Sequence, residues 1–162
     1  MKSNRQSFLW LATGTILMLF SNGRWIIPFA TWLYPIFFLR FMRMQKPAQG
    51  FIFLTLVSAG VNMIIWWKMI PFPVVIYFTF TGFFALIFIL SFLADRLLAV
   101  RLKGFISTLV FPVTWCTIDY LFTLTPKGTW YSLAYTQAGN LPLLQLVSVT
   151  GIWGIVFLMT WF

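Results

Sequence analysis

Histidine is missing from this chain, and cysteine occurs once, as Cys116. A Ser-His-Asp triad is therefore excluded, and the commonest general base is absent. No disulfide within the chain and no Cys/His metal cluster can form. Negative charge is nearly absent as well, since Asp95 and Asp119 are the two acidic residues among 162. Charged residues of both signs make up 8% of the chain, against roughly 25% in a soluble domain. So few charges cannot cover the surface of a water-soluble globule, whereas lipid accepts an apolar surface.

What is present points the same way. Hydrophobic residues make up 61% and aromatic residues 21% of the chain, and the mean hydropathy is +0.94. The net charge of +9 comes from eleven Lys and Arg residues. They sit in small groups between apolar runs, not along one face. That distribution reads as membrane topology and not as a phosphate-binding surface, so no nucleic-acid partner is expected.

Six apolar runs predict an all-α integral membrane protein, a bundle of about six transmembrane helices. The expected spans are 7–22, 25–42, 50–67, 74–94, 104–124 and 143–162. The first is somewhat short against the ~20 residues a bilayer needs. It also fits a signal peptide, with a charged start and Ser21-x-Gly23 as a weak cleavage site. Pro28 and Pro35 fall inside the second run, where a kink is expected. Ser58, Ala59 and Gly60 in the third run would let helices approach closely. Pro71-Phe72-Pro73 is a stiff turn. Asp95 is expected at a surface, screened and paired with Arg96 or a neighbour, with little energetic weight. Lys68 follows Trp66-Trp67 and reads as a snorkelling lysine beside an aromatic belt, or as an anchor for a lipid phosphate.

Orientation follows from charge. With the N-terminus inside, Lys2, Arg5, Arg40, Arg43, Lys46, Arg96, Arg101 and Lys103 lie on the inner side, which is eight of the eleven basic residues. Arg24, Lys68 and Lys127 lie outside. This bias predicts a cytoplasmic N-terminus, with the loops at Arg24, 68–73 and 125–142 facing outward. No charged residue follows Lys127, and a last span is usually followed by a basic flank, so the chain is expected to be cut short.

The stretch from Thr114 to Phe157 carries the candidate functional residues. Asp119 is a carboxylate inside an apolar run, costly enough at mid-bilayer to be a functional candidate. It lies within two turns of the loop, where water or Lys127 could pair with it. Cys116 has no His, Lys or Arg near it in sequence to activate it, and reads as a small buried hydrophobe. Trp130, Tyr131, Tyr135, Gln137, Asn140 and Gln145 mix rings with amides. They form either an interfacial belt or a rim that contacts lipid or a partner. Gly151 and Gly154 share a helix face and suggest a close helix crossing. No catalytic residue and no metal site is assigned, and no cofactor is expected.

The order of short motifs carries a resemblance. Phe111-Pro112-Val113-Thr114-Trp115 with Asp119-Tyr120-Leu121 is followed by Gly128-Thr129-Trp130 and Leu133-Ala134-Tyr135-Thr136-Gln137. Then come Pro142-Leu143-Leu144-Gln145-Leu146 and Thr150-Gly151-Ile152-Trp153-Gly154. This series resembles the membrane part of the apolipoprotein N-acyltransferases, which read P-x-x-W-x-x-x-E-x-x-R, G-x-P-W, G-Y-S-Q, P-L-x-Q and T-G-x-x-G. Asp119 stands for the glutamate, Phe122 for the arginine, Thr129 for the proline and Ala134 for a glycine, as in a divergent relative.

The resemblance implies acyl transfer from a phospholipid to the N-terminal cysteine of a lipoprotein, at the outer face of the bacterial inner membrane. Its chemistry would belong to a nitrilase-like domain with a Glu-Lys-Cys set, absent from these residues. The helices would be the platform that holds the lipid donor, with Trp130, Tyr131, Tyr135, Gln137 and Asp119 as contact candidates. The partners implied are the phospholipid donor, the lipoprotein and the membrane. A small transporter subunit and a non-catalytic assembly protein are the other readings. Transport sites need polar groups near the midplane, for which Asn62 and Asp119 are the candidates.

Overall fold

Proline sets where several helices begin. The computed structural model describes residues 2–126 and 128–162, with side chains from Arg5 onward. Helix α1 covers Lys2–Leu19, α2 Pro28–Met44 and α3 Pro47–Ile65. Pro28 and Pro47 occupy the first turns of α2 and α3, where a missing N–H leaves no hydrogen bond unmade. Pro28 therefore opens a helix and does not kink one, while Pro35 does lie inside α2. Helix α4 runs Val74–Ala94 behind Pro73 and continues as one π turn, Asp95–Ala99. The short α5, Phe105–Thr108, leads almost directly into α6, Val110–Thr123.

The region after α6 departs from the expected plain loop and straight sixth span. A 3-10 turn, Leu133–Gln137, turns the loop back into the bundle, and four of its five residues are buried. The last apolar run is then two helices, α7 (Leu141–Thr150) and α8 (Ile152–Trp161), bent by 117°. Gly151 sits at the bend with φ 65° and ψ −173°, a conformation that only glycine adopts freely. Gly151 is thus a corner and not part of a helix crossing. A side chain at Gly154 would meet Thr150, the last residue of α7, so its lack of one serves the close approach across the bend.

Helices and the turns between them make up the described residues, with no strand. Three helices are long and apolar enough to cross a membrane by length and composition: Pro47–Ile65, Val74–Ala99 and Phe105–Thr123. The α7–α8 pair meets that test only as one bent unit. Helix α1 lies chiefly against α2, α3 against α4, and α6 against α8 and α4.

An aromatic column holds the middle together. Phe84, Phe88 and Phe92 repeat every four residues along one face of α4, and all are buried. Phe122 stacks on Phe84 at 4.8 Å and on Phe88 at 5.7 Å. Trp115 lies 5.0 Å from Phe88, and Phe111 lies 4.8 Å from Phe92. Such pairs contribute about 0.5–1.5 kcal/mol each beyond their area. In lipid that contact energy matters more than hydrophobic burial, because lipid tails are as apolar as the core. The outward faces stay apolar, with Phe29, Val75 and Val149 each more than 70% exposed.

The two ends of the bundle differ in chemistry. One end gathers the turn around Gly23, the turn after α3 and the segment 128–140. There Arg24 donates to the Trp67 carbonyl at 2.8 Å, and Gln137 donates to the Pro28 carbonyl at 3.3 Å. The other end joins α2 to the π turn. Arg43 donates through Nε and Nη2 to the two oxygens of Asp95, each at 2.9 Å. Asp95 is 2% exposed. The expectation of a screened surface carboxylate paired to Arg96 or a neighbour is therefore corrected. The π turn carries Asp95 inward, and its partner lies on another helix.

Candidate functional site

The sequence candidates fall at the end that carries Arg24, but they do not converge on one point. Asp119 projects from α6 into the interior at 2% exposure. Ser132 donates to its carboxylate at 2.7 Å, and the same hydroxyl accepts from the Ala134 amide at 3.5 Å. Asp119 thus ties α6 to the start of the 3-10 turn. Lys127, the other partner considered for it, lies outside the described residues.

Tyr131 and Trp130 join the loop to α3 and α4. The Tyr131 hydroxyl donates to Asn62 Oδ1 at 3.0 Å, and its ring lies 4.7 Å from Phe84. Burial pushes the phenol above the ordinary tyrosine range, against the opposing hydrogen bond to Asn62. The group therefore stays a neutral donor. Trp130 stacks on Phe80 at 5.9 Å and meets Trp66 edge-on at 5.2 Å. Phe122, which stands where the resembled motif has an arginine, belongs to this aromatic set. A guanidinium there would lie against Phe84 and Phe88. Tyr135 is half-exposed and its hydroxyl meets Thr129 Oγ1.

Gln137 is the candidate that lines a large groove. It is 2% exposed, and its amide nitrogen is held by the Pro28 carbonyl and by Thr136 Oγ1 at 3.0 Å. Beside it lies a lateral groove of about 790 Å³. Phe29, Trp32 and Leu33 of α2 form one wall, and Leu141 and Pro142 of α7 form another. Asn140 also lines it, while its side chain caps α7 by accepting from the Leu143 amide at 3.4 Å. The volume lies within the range of small-molecule and lipid pockets, about 300–1,000 Å³.

The α2 wall had no signal in the sequence, because Phe29 and Leu33 look like any other lipid-facing residues of a span. The groove exists because α7 turns away from α8 at Gly151, and that bend is invisible to hydropathy. Chemically, the site can bind and orient but shows no reacting pair. Cys116 points at the Trp153 carbonyl, with Sγ at 3.6 Å, inside the α6–α8 contact.

The family model described as the apolipoprotein N-acyltransferase N-terminal domain matches residues 5–162. A curated relative, the apolipoprotein N-acyltransferase of Geobacter metallireducens, is 36% identical over 58 residues. That match covers 35% of this chain and 11% of the relative. No solved structure matches.

Proposed function

The chain belongs to the apolipoprotein N-acyltransferase N-terminal domain family, and on that premise we propose that it is the membrane platform of an N-acyltransferase. The enzyme moves an acyl chain from a phospholipid to the N-terminal cysteine of a lipoprotein in the bacterial inner membrane. A nitrilase-like domain outside these residues supplies the nucleophile. The platform crosses the bilayer about six times with its N-terminus cytoplasmic, the α7–α8 pair counting as one broken crossing. The end carrying Arg24 and Trp130 then faces outward.

The observation that supports this reading is the groove beside Gln137. Three residues that line it, Phe29, Leu141 and Phe162, are each more than 70% exposed, and it lies at the end where a following domain would meet the outer leaflet. One chain of the donor rests against Phe29, Leu33 and Leu141, and Gln137 and Asn140 lie beside its ester region. Asp119 and Tyr131 act through the loop they anchor, not by touching the donor.

The test uses the full-length protein and reads triacylation of a lipoprotein by mass spectrometry. Leu33→Trp fills the groove and lowers the rate at saturating acceptor, while Val75→Trp on another lipid-facing surface does not. Equal rates for both variants sink the groove as the donor site. Cysteine labelling at position 68 separates the topology: reaction with an impermeant reagent from the cytoplasmic side would overturn the orientation.

A further inference from the structure

Two more grooves meet toward the end of α2 that carries Arg43, and one arginine lines both. The first, about 480 Å³, runs beside α2 and α8 and includes Trp10, Trp32, Ile36, Leu39 and Arg40 in its walls. The second, about 430 Å³, includes Leu9, Trp10, Thr13, Phe37 and Arg40. Trp10 and Arg40 are thus the partition between them. The Arg40 guanidinium lies over the Trp10 ring at 5.9 Å and is exposed.

Charge at this end is unbalanced. Asp95 gives both of its oxygens to Arg43. Asp119, the other acidic residue of the chain, is bonded to Ser132 at the far end. No side-chain carboxylate remains for Arg40. Lys46, Arg96, Arg101 and Lys103 also follow the inner ends of α2 and α4, so the local potential is positive. A planar guanidinium without a carboxylate is set between two troughs whose apolar walls are edged by polar groups, Thr108, Thr160 and the Arg43–Asp95 pair in one and Gln6 and Thr13 in the other, an arrangement that fits a phosphate with two hydrocarbon chains.

We propose that Arg40 anchors the headgroup phosphate of an intact anionic phospholipid whose two chains straddle Trp10, one in each groove. The site centres on Arg40, toward the end of α2 that carries Arg43, and its first groove meets the donor groove at Trp32 and Phe162; it holds a structural or regulatory lipid, not the acyl donor. Its assignment to the cytoplasmic leaflet rests on the orientation proposed above. The binding itself does not, and it is read without any acyl transfer.

The experiment titrates phosphatidylglycerol and phosphatidylcholine onto the purified full-length protein and counts bound lipids by native mass spectrometry. The wild type prefers phosphatidylglycerol. Arg40→Gln loses about fivefold of that preference, the factor for one arginine at an anionic lipid surface, and Arg40→Lys keeps most of it. Thr13→Trp, which blocks one trough and leaves the arginine, lowers phosphatidylglycerol binding as well. Equal binding by wild type and Arg40→Gln overturns the proposal. So does displacement of the lipid by an equal concentration of glycerol 3-phosphate, which would make this a site for a free phosphate.

Discussion

The two ends of the bundle are closed by different chemistry. The end with Arg43 and Asp95 is fastened chiefly by one charged clamp, two hydrogen bonds of 2.9 Å between α2 and the turn after α4, beside one neutral bond from Gln45 to Ser7 at 2.6 Å. The end with Arg24 and Trp130 has no ion pair among the described residues and is closed by many separate, mostly neutral contacts: backbone carbonyls, amides, hydroxyls and stacked rings, with Arg24 and Asp119 each bonded to a neutral partner. A single clamp concentrates energy in one pair, so its loss is felt at once. A distributed closure divides the same task, so each part is worth less and the whole tolerates change. That difference also suits the proposed roles. An end that must admit a substrate lipid and a further domain is better built from contacts that rearrange individually.

The largest effect is expected from Arg43→Ala. It leaves Asp95 buried without its cation, while Arg43 itself is half-exposed at 52%. Breaking a buried pair costs up to about 3–5 kcal/mol, and the exposed partner reduces this to about 2–3 kcal/mol. Asp95→Ala should cost less, because the released guanidinium can turn to water. Unfolding of the two variants and of the double variant in mixed micelles measures the asymmetry. If Asp95→Ala proves the more damaging, the clamp reading of this end is wrong.

Gly23→Ala is the corresponding blow to the neutral end. Gly23 has φ +73°, and a side chain there would lie 3.0 Å from the Ile65 carbonyl oxygen. The left-handed backbone alone costs about 1–2 kcal/mol for an alanine. The turn it shapes also places the Arg24 amide 3.3 Å from that same carbonyl. Faster exchange at the Arg24 and Ile27 amides, with those of α4 unchanged, is the expected signature.

These two sites show why sequence reading reaches some features and not others. The bounds of α4, expected over 74–94, follow from local residue order and are found. Asp95 was misplaced because its partner lies 52 residues away, and no local rule finds it. The broken last span escaped for a different reason. The residues on both sides of Gly151 are equally apolar, and hydropathy carries no direction. The candidate residues of the loop were visible as a mixture of rings and amides. Which of them border open space depends on how the 3-10 turn docks, so Gln137 could not be told apart from Tyr131.

Ser132→Ala comes third. It strips Asp119 of its donor while the carboxyl group stays at 2% exposure, and an unsatisfied buried acceptor costs about 1–3 kcal/mol. Ser132→Thr keeps the hydroxyl and should retain most of the stability. A loss of the same size in both variants would mean that the site is sensitive to shape and not to the hydrogen bond.

Tyr131→Phe sharpens the comparison most, because its effect should be small. It removes one hydroxyl, and with it the 3.0 Å bond to Asn62, but leaves the ring against Phe84 and Phe88 at 4.7 and 5.4 Å. Hydrogen bonds between helices in a membrane average about 0.6 kcal/mol. A closure made of many such bonds should survive the loss of one with little change in melting. Tyr131→Ala removes the ring as well and forfeits its contacts with Trp66, Phe84, Phe88 and Trp130, so it should cost several times more. Should the phenylalanine variant prove as damaging as the alanine variant, the hydroxyl would be acting like the Arg43 clamp. The neutral end would then hang on one bond, and the contrast between the two ends would fail.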